Sequence, residues 1–389
     1  GPSLIRAAAK NFKWSTVLVS ADQYTELRTE LESNNFDTSA SFRQRCAVRA
    51  FEHTARYNAL IADYLRNDLG ESAVFPDEMT ISGKKINDLR YGENPHQKAA
   101  YYSFTQNNPL RNFTQLHGKE LPYNNLLDLD AALGIVSEFD QNFAVILKHT
   151  NPCGAAVGDT LQQAYERALE TDSLSAFGGI VGLTAEVDEA LAEKMAGHFF
   201  ECVLAPKFSE KALTILTKKK NLRLLTFSAD AISQIRYQVR TIDGGFLVQD
   251  KDEEIFDINQ AQTVSKRHPE KRELAALSFA WKLVKHVHSN AIIYTTDTQL
   301  IGVGAGQMSR VDAAELAVKK AIQAGHSTAK TVCASDAFFP FRDGIDALAE
   351  AGITAVIQPG GSIRDAEVIQ AADAHGLAMV FTEIRHFKH

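Results

Sequence analysis

The stretch FAVILKHTNPCG, Phe143–Gly154, decides how the chain is to be read. The apolar run Phe143 to Leu147 is too short for an ordinary helix and suits a strand buried on both faces. Lys148 and His149 follow it, and NPCG (Asn151–Gly154) reads as a Gly/Pro turn. A buried strand thus delivers an ammonium and an imidazole to a strand end, which in an α/β protein is where ligands bind. On these residues alone two readings stay open. The pair is a solvent-facing strand cap, or it is a proton-transfer unit whose ammonium disfavours the imidazolium and keeps the histidine a neutral base.

Outward from this strand, helical and strand patterns alternate. Helices are expected at Asp128–Glu138, Thr160–Glu170, Asp188–Gly197 and Glu210–Lys218, and strands at Gly179–Leu183, Glu201–Leu204 and Leu222–Phe227. Tyr237–Gln249, with Gly244 and Gly245, reads as a hairpin, and a helix is expected over Pro269–Val287. The rhythm then resumes with strands at Ala291–Thr295, Leu300–Val303, Thr331–Ala334, Ala355–Gln358 and Ala378–Phe381. Helices fall at Val311–Gln323, Ile345–Ala351 and Ala366–Ala374. The fold class is therefore α/β, with a second half that echoes the first. Upstream, WSTVLVS (Trp14–Ser20) is strand-like, and Ser41–Leu69 has helical spacing with Val48, Phe51, Ala55, Leu60 and Leu65 as its apolar stripe. GPSLIRAAAKN (Gly1–Asn11) reads as a loop entering a helix, so the chain is expected to begin inside a domain.

Bulk properties narrow the function. Lys+Arg 41 against Asp+Glu 48 gives a formal charge of −7, which supplies no global basic field for nucleic acid or an anionic membrane. No apolar run approaches the ~20 residues of a membrane span. The four cysteines are scattered at Cys46, Cys153, Cys202 and Cys333, which favours a reducing, cytoplasmic setting.

Candidate chemistries can be weighed by spacing. A zinc deaminase needs a PCxxC pair and a histidine two residues before a glutamate, but Ala156 stands at the second cysteine and Asn151 two places after His149, so no zinc is expected. GVGAGQ (Gly302–Gln307) lacks the last glycine of a dinucleotide fingerprint and reads equally as a tight turn; Gln307 and Arg310 beyond it suit an anion or amide at a helix start. The loop ISGKKINDLRYGENPHQ, with Arg90, Tyr91 and His96, and the terminal RHFKH, with Arg385 and His389, carry donors suited to phosphate, or else are solvated surface. SLSAFGG, HSNAIIY and SDAFFPFRD each set an aromatic beside small or amide residues at a strand end, as a planar heterocycle requires. Taken singly, Phe177 and Phe338 suit the core better.

Taken in order, LRYGENPHQ, VILKHTNPCGAAVG, DSLSAFGGIVGL, GVGAGQMSR, SDAFFPFRDG and RHFKH resemble the bifunctional purine-biosynthesis family that joins AICAR transformylase to IMP cyclohydrolase. The resemblance covers Leu69 to His389 for the transformylase region, while Gly1–Asn11 resembles the end of the cyclohydrolase domain. It implies formyl transfer from 10-formyltetrahydrofolate to the 5-amino group of AICAR, in a cytoplasmic homodimer with sites at the interface. The implied architecture is two tandem cytidine-deaminase-like units, at 69–255 and 256–389. Before them, residues 1–68 would hold a linker helix and the remnant of a methylglyoxal-synthase-like domain. By motif it implies Lys148, His149, Asn290 and His389 as catalytic. Arg90, Tyr91, His96, Asn125, Phe177, Gly178, Phe338 and Arg385 would bind AICAR, and Glu201, Gln307, Met308 and Arg310 the folate. It allows a potassium ion, with no ligands assigned.

Overall fold

In the computed structural model, which describes residues 1–70, 75–104, 113–228 and 237–389, Phe143, Val145 and Leu147 enter one apolar cluster and Ala144 and Ile146 another. Successive strand side chains point to opposite faces, so the alternation records a sheet covered on both sides. Contacts divide the chain into two bodies, Gly1–Asp88 with Ala100–Pro109, and Leu89–Ala99 with Leu110–His389.

The first body holds helices α1 (Pro2–Lys10), α2 (Gln23–Ser33) and α3 (Ala40–Asp68), and most of a two-stranded sheet of β1 (Lys84–Leu89) and β2 (Ala99–Ser103). Ser39 caps α3 by accepting the Phe42 amide. Its buried face is not the expected stripe: Phe42, Cys46, Ala47, Ala50, Thr54 and Ala59 lie inside, whereas Val48, Leu60 and Leu65 are exposed. Ala9 of α1 packs against Ala47 and Ala50, and these small residues let the two backbones approach. Trp14–Ser20 is not a strand. The Val19 and Ser20 amides donate to Gln23 Oε1 at 2.9 and 3.2 Å, so a side chain takes the bonds that a neighbouring strand would have made.

The second body contains two six-stranded mixed sheets. The first is built from β3 (Thr114–His117), β4 (Phe143–Lys148), β5 (Asn151–Val157), β6 (Gly179–Leu183), β7 (Phe200–Ala205) and β8 (Arg223–Thr226) in the order β3-β8-β7-β6-β4-β5. Helices α4 (Tyr123–Val136), α5 (Leu161–Thr171), α6 (Ser173–Ala176), α7 (Glu189–Ala196) and α8 (Glu210–Leu216) connect them. A hairpin of β9 (Tyr237–Ile242) and β10 (Gly245–Asp250) follows, turning at Gly244 with φ +81°. The second sheet uses β11 (Gln262–Thr263), β12 (Ile292–Thr295), β13 (Leu300–Gly304), β14 (Val332–Ser335), β15 (Ala355–Gln358) and β16 (Ala378–Phe381) in the order β11-β16-β15-β14-β12-β13. Its helices are α9 (Lys271–Val284), α10 (Arg310–Gln323), α11 (Asp343–Glu350) and α12 (Asp365–Ala374). The α9 helix starts later than its periodicity suggests because Glu270 and Glu273 form a capping box.

Both sheets share one sequence of directions. β8, β7 and β6 run parallel, as do β16, β15 and β14, and the remaining pairs are antiparallel. Their inner faces meet α4 and α9 in one cluster that includes Leu129, Ile135, Leu147, Leu277, Leu283, Ile293 and Ile357. Tyr165, Leu191 and Leu216 of α5, α7 and α8 cover the outer face of the first sheet. Ala317, Leu348 and Val368 of α10, α11 and α12 cover that of the second.

Candidate active site

The reading of NPCG as a turn needs correction. Lys148 pairs with Asn151, so the turn is His149–Thr150 and NPCG opens β5. Both turn residues have positive φ, +50° and +62°, as a two-residue type I′ hairpin requires. Pro152 is tolerated because β5 is the edge of its sheet and its missing amide leaves no central ladder broken. A β-branched residue such as Thr150 disfavours this conformation. A tertiary bond holds it there, the Thr150 amide donating to Asp128 Oδ1 at 2.6 Å, while its hydroxyl donates locally to the His149 carbonyl at 2.7 Å. The His288 ring lies 3.0 Å from the same hydroxyl, and the His288 amide donates to Asn151 Oδ1 at 3.0 Å.

Lys148 turns its ammonium onto the carbonyls of Phe177 and Gly178, at 2.9 and 3.2 Å. Gly178 has φ +68°, and a Cβ there would stand 3.3 Å from Lys148 Nζ, so glycine serves both the backbone and the lysine. Phe177 is 68% exposed, not core, and its ring tilts against Phe199 at 5.1 Å. His149 is exposed, and among the described residues its ring has no hydrogen-bond partner.

The first turns of α4 anchor the surrounding segments. Asn124 Nδ2 donates to the Glu93 carbonyl at 3.3 Å and so ties down the loop that carries Arg90, Tyr91 and His96. That loop closes on itself through Gly92 N to Gln97 O at 2.8 Å, leaving Arg90 against the Tyr91 ring and His96 exposed. Asn125 is buried and donates to Cys202 Sγ at 3.3 Å, where burial pushes the thiol up to about 12. Beside it, Glu201 accepts from Arg223 at 2.8 Å. Burial raises the Asp128 carboxyl above its ordinary range, against the Thr150 N–H bond and the charges of His149 and Lys148, which pull it down.

A second group lines a cavity of about 620 Å³: Asn290, Met308, Arg310, Phe338 and Arg385, with Phe387. Arg310 is buried and reaches Ala337 O at 3.2 Å, Asn290 Oδ1 at 2.8 Å and the fully buried Asp336 at 3.1 Å. Burial pushes the Asp336 carboxyl up, while Arg310 and the Ser289 hydroxyl pull it down. Asn290 Nδ2 donates to the carbonyls of Gln307 (3.0 Å) and Met308 (3.2 Å). Gln307 spends its own amide on Ala305 O at 2.8 Å, Met308 is exposed, and Arg385 stacks on Phe387 at 4.5 Å with His389 beyond. Burial, then Lys388 and His389, hold His288 below its ordinary value.

The structure thus brings Lys148, His149, Phe177 and Gly178 together around one hairpin turn, and Asn290, Met308, Arg310, Phe338 and Arg385 around one cavity. His288 reaches the turn through Thr150 and Asn151, and its carbonyl accepts the Gly306 amide at 2.8 Å in the segment that leads to Gln307 and Met308. Sequence reasoning missed Asp128, His288 and Asn124. Asn124 and Asp128 stand i and i+4 in YNNLLDLDAA, a spacing that puts them on one helix face and was the available signal. Among the described residues no group of three or more His, Cys, Asp or Glu is placed to hold a metal ion, and no helix is long and apolar enough to cross a membrane.

Residues 8–320 match the family described as AICARFT/IMPCHase bienzyme. The whole chain aligns at 49% identity with the bifunctional purine biosynthesis protein PurH of Listeria monocytogenes serotype 4b, and at 48% and 47% with those of Halalkalibacterium halodurans and Bacillus cereus. In each case it spans 75% of the relative's length. A solved structure described as protein ybgI, of unknown function, gives a TM-score of 0.13 at 13% identity over 58% of this chain and 85% of that one, too low to bear on the fold.

Proposed function

The chain belongs to the AICARFT/IMPCHase bienzyme family, and on that premise we propose that the Lys148–His149 turn is the centre of its formyl transfer. The reaction moves the formyl group of 10-formyltetrahydrofolate to the 5-amino group of AICAR in purine biosynthesis. The second, cyclohydrolase activity in the family's name is that of the bifunctional relatives, of whose length this chain spans 75%.

The AICAR amine is conjugated with a ring bearing a carboxamide, so its lone pair is weakly nucleophilic. His149 takes the amine proton as nitrogen bonds to the formyl carbon; the bond from that carbon to the folate nitrogen then breaks, and that nitrogen leaves with a proton. General base catalysis of this kind contributes roughly 10²–10⁴-fold. Lys148 stabilises the developing oxyanion. Asn290 orients the formyl oxygen by exchanging its longer bond, 3.2 Å to Met308 O, for the substrate. Arg90, Tyr91, His96, Asn125, Phe177, Gly178, Phe338 and Arg385 bind the nucleotide; Glu201, Gln307, Met308 and Arg310 face the folate; His389 closes the site. The observation that carries this reading is the outward-facing His149 on a positive-φ turn, beside a lysine pinned by Phe177 and Gly178.

The same reading makes the protein a cytoplasmic homodimer whose sites are completed across the interface, a role suited to the exposed Phe177 and Met308. The two sheets are then tandem cytidine-deaminase-like units, at 69–255 and 256–389, after a linker helix and a methylglyoxal-synthase-like remnant in 1–68. No potassium ligands are assigned. The test is Lys148→Met, assayed for 10-formyltetrahydrofolate consumption and, by calorimetry, for AICAR binding. The expected result is a kcat loss of about 10² or more, as for an oxyanion donor, with AICAR affinity within a few-fold. A variant that binds and turns over like the parent would remove Lys148 from the chemistry.

A further inference from the structure

The α4 helix contributes one group that the reaction above does not use. Asp128 sits one turn beyond Asn124, and its carboxylate accepts the Thr150 amide at 2.6 Å. The Thr150 N–H has no ladder partner of its own, because the hairpin register leaves residues 149 and 150 outside the paired strands. Both have positive φ, a conformation that L-residues keep only when surroundings over-determine it. The turn's other external bonds come from His288, on a segment just before β12. Asp128 is thus the only described group on a regular helix or strand outside the β4–β5 hairpin that fixes the turn's backbone.

We propose that Asp128 is a positioning residue for formyl transfer, holding the His149–Thr150 turn so that the imidazole meets the AICAR amine. The proposal rests on the reading of His149 as the base. The Asp128 carboxylate acts through the Thr150 amide it accepts. Misplacement of a reacting group by about 1 Å costs around 10²-fold, the size of effect that loosening this turn would have.

The experiment is a cycle of Asp128→Ala, Asp128→Asn, His149→Ala and the Asp128→Ala/His149→Ala double variant, with kcat, AICAR KM and melting temperature measured for each. Asparagine keeps an oxygen acceptor for the Thr150 amide. Asp128→Ala is expected to lower kcat by about 10²-fold with KM within about threefold, and Asp128→Asn to restore most of the rate. In the His149→Ala background the Asp128→Ala change is expected to cost less than about threefold, because residues acting as one unit are not additive. Equal losses in both backgrounds, or no recovery with asparagine in a folded protein, would overturn the positioning role. If Asp128→Ala does not fold, the Asp128→Asn rate decides alone: a tenfold or greater kcat loss in that variant overturns the role. A His149→Ala protein with parental turnover would instead sink the base assignment, and with it the premise.

Discussion

The two sheets of the second body have the same strand order, yet their edge hairpins differ. The β4–β5 hairpin closes in two residues with positive φ at His149 and Thr150. The β12–β13 hairpin closes through Thr296–Gln299, where Thr296 N donates to Gln299 O at 2.9 Å and no positive φ occurs. The halves also meet reciprocally. The first turn touches the segment before β12 through Thr150 and His288, and the second touches the end of β5 through Val157 N to Thr298 O at 2.8 Å. The scaffold therefore offers two equivalent meeting points of a turn with the opposite half. Only one carries a lysine, a histidine and a carboxylate behind them. The shared strand order supplies the frame at both turns, and the side chains at one turn alone suit the proposed chemistry.

The sharpest way to break this comparison is to empty each turn in parallel. His149→Ala is expected to lower kcat by roughly 10²–10⁴-fold. Thr296→Ala, which removes the acceptor of the Thr298 and Gln299 amides, should leave kcat within about twofold and cost only ~1 kcal/mol of stability. Comparable kcat losses would mean that both meeting points work.

Packing should instead respond alike in the two halves. A Cβ on Gly154 would stand 1.9 Å from Ala168 O of α5, and one on Gly304 1.8 Å from Ala313 O of α10. Gly154→Ala and Gly304→Ala are each expected to destabilise by about 3 kcal/mol or more, read as a fall in melting temperature. If one alone tolerates alanine, the helices do not pack equivalently.

A smaller effect tests how the halves are joined. Glu138, just past α4, accepts from Lys285 at 3.0 Å and lies 3.2 Å from His286, both just past α9. Burial pushes the Glu138 carboxyl up, but the hydrogen bonds and charges of His286 and Lys285 outweigh it and hold it at about 2, below the ordinary glutamate range. A depressed carboxylate contributes stability that is fully present above its unfolded value and lost as pH falls through the folded one. Denaturant titrations should therefore show Glu138→Gln weaker than the parent by ~2–3 kcal/mol at pH 7, with the gap narrowing between about pH 4.5 and 2. A gap independent of pH would show that the pair matters by shape alone.

Much of this was legible in the chain. Strands such as Gly179–Leu183, Ala355–Gln358 and Ala378–Phe381 fall where their apolar runs put them, because a strand buried on both faces has to be apolar throughout. The Lys148–His149 pair was visible as a break in such a run. Its turn was misplaced by two residues, since Asn-Pro-Cys-Gly has turn composition and nothing local reveals that β5 is an edge strand where proline is harmless. The stripe of α3 was misassigned for a related reason: periodicity names an apolar face, but Ala9 selects the smaller one.

The chain's own order of residues determined the α/β rhythm, the lysine and histidine at a strand end, and the motifs that mark the family. Only the tertiary structure decided that Thr150 is held at positive φ by Asp128 and His288, that Phe177 is exposed, and that Arg310 is buried against Asp336. Local periodicity reports which side chains avoid water. Bonds between residues 22 or 138 positions apart depend on how layers stack, and no window along the sequence contains both partners.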